Sequence, residues 1–175
     1  MDKQLIAITG FMAAGKTTVG RTLAAKLNCK FVDLDELIAG QQNNSISELI
    51  TRDGEDRFRQ LETETLAEVL QASDNFVIAL GGGTWARVDN RRLLRERNAR
   101  VIWLDAPFEL CWKRIPIGDN GRPLAPSREV AEKLYRVRLP VYELAELRLV
   151  VSETKSSEEL ADQIGAVLLP RNANS

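Results

Sequence analysis

Gly10, Gly15, Lys16 and Thr17 stand at the spacing Gly-x-x-x-x-Gly-Lys-Thr in the stretch "GFMAAGKT". A loop of this kind wraps backbone N–H groups around phosphate oxygens and aims a helix N-terminus at them. It also adds the Lys16 ammonium and offers the Thr17 hydroxyl to magnesium. The chemistry it serves is the gripping of a nucleotide's phosphates. A magnesium shell at such a loop takes a further acid, and two candidates exist: Asp105, after the apolar "VIWL", and Asp33, in "VDLD". Pattern alone favours Asp105. Asp33 and Asp35, however, lie near the carboxyl end of a strand close to the loop in sequence, where open α/β sheets place their ligands. One of the two would hold metal-bound water and the other a substrate hydroxyl, with helix capping by Asp35 as the competing use.

Further along, Arg59 and Glu62 in "RFRQLE" are three apart and so share a helix face, a spacing that usually makes a surface ion pair. Gly81, Gly82 and Gly83 follow an apolar run, and three bare residues at a strand end let backbone approach a ligand closely. In "YRVRLPVYELAE", Pro140 sits inside a helical pattern two residues after Arg138 and is expected to kink or open it. Arg136 and Arg138 fall on different faces, and spacing does not choose between them. Residues 115–128, "IPIGDNGRPLAPSR", hold three prolines and two glycines and read as a surface loop, with Arg122 in its middle suggesting a lid. The chain has no histidine. That removes Ser-His and Cys-His machinery and every His-ligated metal site, leaving proton transfer to a carboxylate or a lysine.

The elements that must position these residues alternate. Short apolar strands are expected over residues 5–10, 30–35, 75–83, 99–107 and 147–152. Helices are expected over residues 17–27, from the Ser45/Glu48 capping box as far as Leu70, and over residues 156–169 behind a second box at Ser156 and Glu159. Strands apolar on both faces and separated by helices argue for a parallel sheet covered on both sides, a three-layer αβα sandwich.

The bulk numbers fit one domain: 175 residues, 44% hydrophobic, with 24 basic residues against 25 acidic ones. Such a balance gives no field to draw the chain onto nucleic acid or an anionic membrane, and no apolar run reaches the ~20 residues that span a bilayer. A cytoplasmic location is expected, and Cys29 and Cys111, far apart and without metal spacing, read as core filling. No exposed apolar stripe demands a partner subunit, so a monomer is expected.

Taken in order, "GFMAAGKTTVGR", "DLD", "FRQLE", "GGGT", "RPLA" and "RLPVYELA" closely resemble the shikimate kinase family over nearly the whole chain. The resemblance implies a P-loop kinase of the nucleoside-monophosphate-kinase type, with a five-stranded parallel sheet in the order 2-3-1-4-5. It implies a single kinase domain over residues 1–175, a substrate-binding helical region at about 34–62 and a lid at about 115–128. The implied reaction moves the γ-phosphate of ATP to the 3-hydroxyl of shikimate, in the route to chorismate and the aromatic amino acids, with Mg2+ as cofactor.

By the same resemblance Asp35 engages the acceptor hydroxyls as base, and Lys16 and Arg122 neutralise the transferred phosphoryl group. Arg59 and Arg138 grip the acceptor carboxylate, Glu62 orients Arg59, and Gly81 to Gly83 offer backbone. Ala13, Ala14, Gly15, Lys16, Thr17 and Thr18 form the ATP loop, Arg114 and the loop at Thr154 and Lys155 flank the adenine, and Thr17 with Asp33, through water, holds the metal. Two departures stand out: alanine replaces the family's usual glycine at Ala13, at a cost of ~1 kcal/mol if φ is positive there, and the lid is slightly longer than the usual form. The alternatives are a kinase of another small hydroxy acid, such as gluconate, and a nucleotide-binding module without catalysis.

Overall fold

The computed structural model describes residues 4–71, 76–115 and 124–168. Five strands, β1 (Leu5–Thr9), β2 (Lys30–Asp33), β3 (Phe76–Ala79), β4 (Arg100–Asp105) and β5 (Leu147–Val150), form one parallel sheet in the order β2-β3-β1-β4-β5. Every residue of β1 and of β3 is buried, as expected for strands covered on both faces, whereas the edge strands β2 and β5 keep exposed positions. Because all five strands run the same way, the loops after β1, β2 and β3 emerge side by side at one edge of the sheet.

Eight helices cover the sheet among the described residues: α1 (Lys16–Lys26), α2 (Leu34–Gln42), α3 (Ile46–Asp53), α4 (Glu55–Leu70), α5 (Val88–Glu96), α6 (Phe108–Lys113), α7 (Arg128–Tyr142) and α8 (Ser157–Leu168). Both expected capping boxes form. Ser45 N–H donates to Glu48 at 2.7 Å while Glu48 N–H donates back to Ser45 Oγ at 3.2 Å, and Ser156 and Glu159 repeat the exchange. Helix α7 continues through Pro140 to Tyr142, so the interruption expected there does not end it.

One boundary differs in a way that matters for the site. Strand β2 stops at Asp33 instead of Asp35, because the Asp33 carboxylate accepts the N–H groups of Asp35 (3.1 Å) and Glu36 (3.2 Å) and starts α2 at once. Asp33, not Asp35, is the cap. Asp35 therefore leaves from the first turn of a helix.

The core holds the phosphate loop down. Phe11, inside that loop and almost fully buried, packs edge-on to Tyr135 at 5.1 Å and against Phe108 at 6.4 Å, and burying such a ring stabilises by about 1.5–3 kcal/mol. Cys111 is buried and Cys29 partly so, both packed in the core, matching their reading as filling. No helix among the described residues is long and apolar enough to cross a membrane.

Candidate active site

Residues 10–15 turn from β1 into α1 with positive φ at Gly10 (146°), Ala13 (59°) and Gly15 (101°). A Cβ on Gly10 would stand 2.7 Å from the Leu104 carbonyl oxygen, so the loop can pass the neighbouring strand β4 only without a side chain there. Lys16 Nζ donates to the carbonyls of Gly10 (3.1 Å) and Phe11 (2.9 Å), holding the ammonium inside the loop. Thr17 Oγ1 donates to Asp33 Oδ2 at 2.5 Å, which joins the loop to the end of β2. Asp105, the pattern-based rival, is instead engaged by Arg148 at 2.6 Å. The acid beside Thr17 is Asp33.

Ala13 occupies the left-handed region, where an L side chain costs roughly 1–2 kcal/mol. Replacing it should release that strain, partly offset by the greater freedom of glycine in the unfolded chain. We expect Ala13→Gly to raise the melting temperature by about 2–4 °C; a lower melting temperature would show that the alanine is not strained.

Two cavities meet at this loop. The first, of about 620 Å³, is walled on one side by residues 13–18 and on the other by Arg114, Val151, Lys155 and Ser157. Arg114 Nη1 reaches to 4.0 Å from where a Gly15 Cβ would be. The Thr154 hydroxyl bonds Ser152 at 3.0 Å, and the wall is made by its neighbour Lys155. The second cavity, of about 310 Å³, has the volume of roughly ten water molecules at ~30 Å³ each. Asp33, Asp35, Arg59, Glu62, Arg138 and the three glycines line it, together with Met12, Ile46, Ile50 and Phe58. Ala13, Lys16 and Thr17 belong to both. Arg122 lies outside the described residues.

The glycines make room for the site's own side chains. A Cβ on Gly83 would stand 2.7 Å from the Arg59 guanidinium, and one on Gly82 would stand 3.3 Å from Arg138 Nη1. Arg59 and Glu62, whose spacing suggested a surface pair, are instead buried, with Nη1 to Oε2 at 2.7 Å and Glu62 fully shielded. Glu55 adds a second contact to Arg59 at 3.2 Å. An ion pair this deep persists only with such hydrogen bonds, and removing one partner strands the other charge.

Arg138 is 7% exposed and, among the described residues, has no carboxylate in ion-pair contact; its neighbour is the Tyr142 hydroxyl, which donates to the Gly82 carbonyl at 2.7 Å. A buried guanidinium in that position calls for an anion. Arg136, two residues earlier and on another face of α7, is exposed and paired with Glu132.

Burial pushes the Asp35 carboxyl up to about 6, with the charge of Glu62 as the next cause. Its Oδ1 is buried without a hydrogen-bond partner. Burial likewise pushes Lys16 down to about 8, with Asp35 and Asp33 pulling the other way. Sequence reasoning did not find Ile46, Ile50 or Phe58, because apolar residues carry no chemical signature until the fold turns them into a wall, nor Tyr142, whose hydroxyl meets Gly82 from a distant segment.

A phosphate loop between two cavities, one larger and one smaller and charged, on a parallel sheet of order 2-3-1-4-5, defines a P-loop kinase of the nucleoside-monophosphate-kinase type. Residues 12–169 match the model of the shikimate kinase family. The shikimate kinase of Persephonella marina is 38% identical over 160 residues, covering 91% of this chain and 95% of its own. That of Ruegeria pomeroyi is 37% identical over 169 residues, covering 95% and 85%. The solved shikimate kinase from Acinetobacter baumannii, in complex with shikimate, superposes with a TM-score of 0.89 at 32% identity, covering 99% of this chain and 97% of that one. The chain belongs to the shikimate kinase family, whose co-substrate is ATP.

Proposed function

We propose that this enzyme transfers the γ-phosphate of ATP to the 3-hydroxyl of shikimate. The observation that carries the reading is the meeting of a cavity of about 620 Å³ and a smaller charged one at Lys16 and Thr17, with Asp35 lining the smaller. Shikimate is one carboxylate with three hydroxyls. Arg138 and the Arg59 fork, held by Glu62, suit the carboxylate end, and Asp35 suits the hydroxyl end.

The hydroxyl attacks the γ-phosphorus as its proton passes to the Asp35 carboxylate, and the bond to the bridging oxygen of ADP breaks in line. Lys16 leaves its loop carbonyls for the phosphate oxygens and neutralises charge developing on them. Thr17 and Asp33 fit a hydrated magnesium, since both offer oxygen at the mouth of the loop. When bound, the ion neutralises phosphate charge. Residues 1–175 act as a single kinase domain and a monomer in the cytoplasm, with residues 34–62 on the acceptor side.

One assay tests the reading: ADP release with ATP and magnesium, in the presence of shikimate, of gluconate, or of no acceptor. Release dependent on shikimate is expected, and acceptor-independent or gluconate-selective release overturns it. The pH profile is a second check. Asp35 must be ionised and Lys16 protonated in the free enzyme, so kcat/KM should fall below about pH 6 and above about pH 8. A flat profile between pH 5 and pH 9, on the order of a full titration range beyond either group, would remove one of them from its role.

A further inference from the structure

Three oxygens crowd one point on the triple glycine. A Cβ on Gly81 would lie 2.6 Å from Asp35 Oδ1, 2.7 Å from Glu62 Oε1 and 2.9 Å from Thr84 Oγ1. Two are carboxylate oxygens, and the third belongs to a hydroxyl with a single proton to give. Thr84 gives it to Glu62 Oε1, while Asp35 Oδ1 has no partner. Glu62 Oε2 in turn takes Arg59 Nη1 at 2.7 Å, so this fully buried carboxylate is held once at each oxygen. Thr84 is itself pinned. It is fully buried, its N–H donates to the Gly81 carbonyl at 3.1 Å, and its carbonyl accepts Asn90 Nδ2 at 3.0 Å.

We propose that Thr84 is a positioning residue for the acceptor: by satisfying Glu62 Oε1 it fixes the Arg59 guanidinium at the cavity wall, beside the Asp35 carboxylate that lines the same cavity. The proposal rests on the shikimate reading above. Without the Thr84 hydroxyl, a buried carboxylate oxygen loses its donor, and the nearest replacement is the Arg59 fork. Turning to share both guanidinium nitrogens, Glu62 would draw Arg59 away from the acceptor carboxylate. The nucleotide cavity contains neither Glu62 nor Arg59 and would be unaffected.

The test measures KM for shikimate and for ATP in Thr84→Val, which keeps the shape and removes the hydroxyl, and in Thr84→Ser, which keeps the hydroxyl. Thr84→Val is expected to raise KM for shikimate about tenfold, to leave KM for ATP unchanged, and to be rescued by Thr84→Ser. In an Arg59→Ala background, Thr84→Val should add nothing to the KM for shikimate, because the route runs through Arg59. An unchanged shikimate KM in Thr84→Val, equal rises in both KM values, or full additivity with Arg59→Ala overturns the proposal. If neither Thr84→Val nor Thr84→Ala yields a folded protein by circular dichroism, the hydroxyl serves folding and the positioning role falls. Wild-type enzyme inactive on shikimate would overturn the functional reading as well, whereas active wild type with an unaffected variant counts against Thr84 alone.

Discussion

Asp35→Asn is expected to lose catalysis and to melt higher than the wild type. The amide cannot take the hydroxyl proton, and removal of a positioned base costs about 10²–10⁴ in turnover, while ATP binding in the other cavity should persist. The stability gain follows from linkage. Asp35 has its pKa raised from 3.8 to about 6 in the folded protein, chiefly by burial. The fold therefore holds this proton more tightly than the unfolded chain does. The stabilisation is fully present below pH 3.8 and is lost as pH rises through about 6.

At pH 7 the ionised, buried carboxylate disfavours the folded state by roughly 3 kcal/mol. Asparagine carries no such charge, but its amide needs partners, so a net gain of about 1–2 kcal/mol and a few degrees in melting temperature is expected. The advantage should shrink as pH is lowered toward 4. Scanning calorimetry across pH with parallel turnover assays checks both halves; retained turnover would leave Asp35 without a role as base, and an unchanged melting temperature would show that its charge is not costly.

Gly81→Ala is expected to disable the acceptor half by steric means alone. The added methyl would sit 2.6–2.9 Å from oxygens of Asp35, Glu62 and Thr84 at once. None of the three is the free end of a long flexible chain: Glu62 and Thr84 are fully buried and bonded to each other. Displacing groups of this kind by about 1 Å costs on the order of 10²-fold in rate, and overpacking a buried site costs about 1–3 kcal/mol of stability. Turnover with shikimate and calorimetric melting measure the two effects. Near-normal turnover would mean that the carboxylates can give way, and that the bareness of Gly81 is not what holds them in register.

The fold was largely legible because its signals are local. Apolar runs ending in glycine or proline, two capping boxes and the phosphate-loop spacing each report on a few consecutive residues, and the five strands and helices α1, α3, α4 and α8 fall close to where those signals put them, whereas α2, α5 and α6 went unread. The start of α2 escaped because Asp33 ends a strand, caps a helix and meets Thr17 with one carboxylate. A three-residue spacing of Arg59 and Glu62 is the same whether the helix face is wet or buried, so depth was invisible. Arg136 and Arg138 were likewise equivalent until the packing of α7 buried only one of them. The triple glycine was read as an opening for ligand. In the fold, its missing side chains accommodate Asp35, Glu62, Arg59 and Arg138 as well. Such crowding comes from segments far apart in the chain.

The thin partition of Ala13, Lys16 and Thr17 between the two cavities has a consequence for how this molecule can change. Donor recognition is written in the turn after β1, the start of α1 and the segment around Lys155; acceptor recognition is written in α3, α4, α7 and the glycines after β3. Among the described residues, only three are common property. A lineage, or a designer, can therefore rewrite the choice of alcohol on one side of the partition while inheriting the phosphate supply on the other untouched, provided the new tenant still presents its hydroxyl to Asp35.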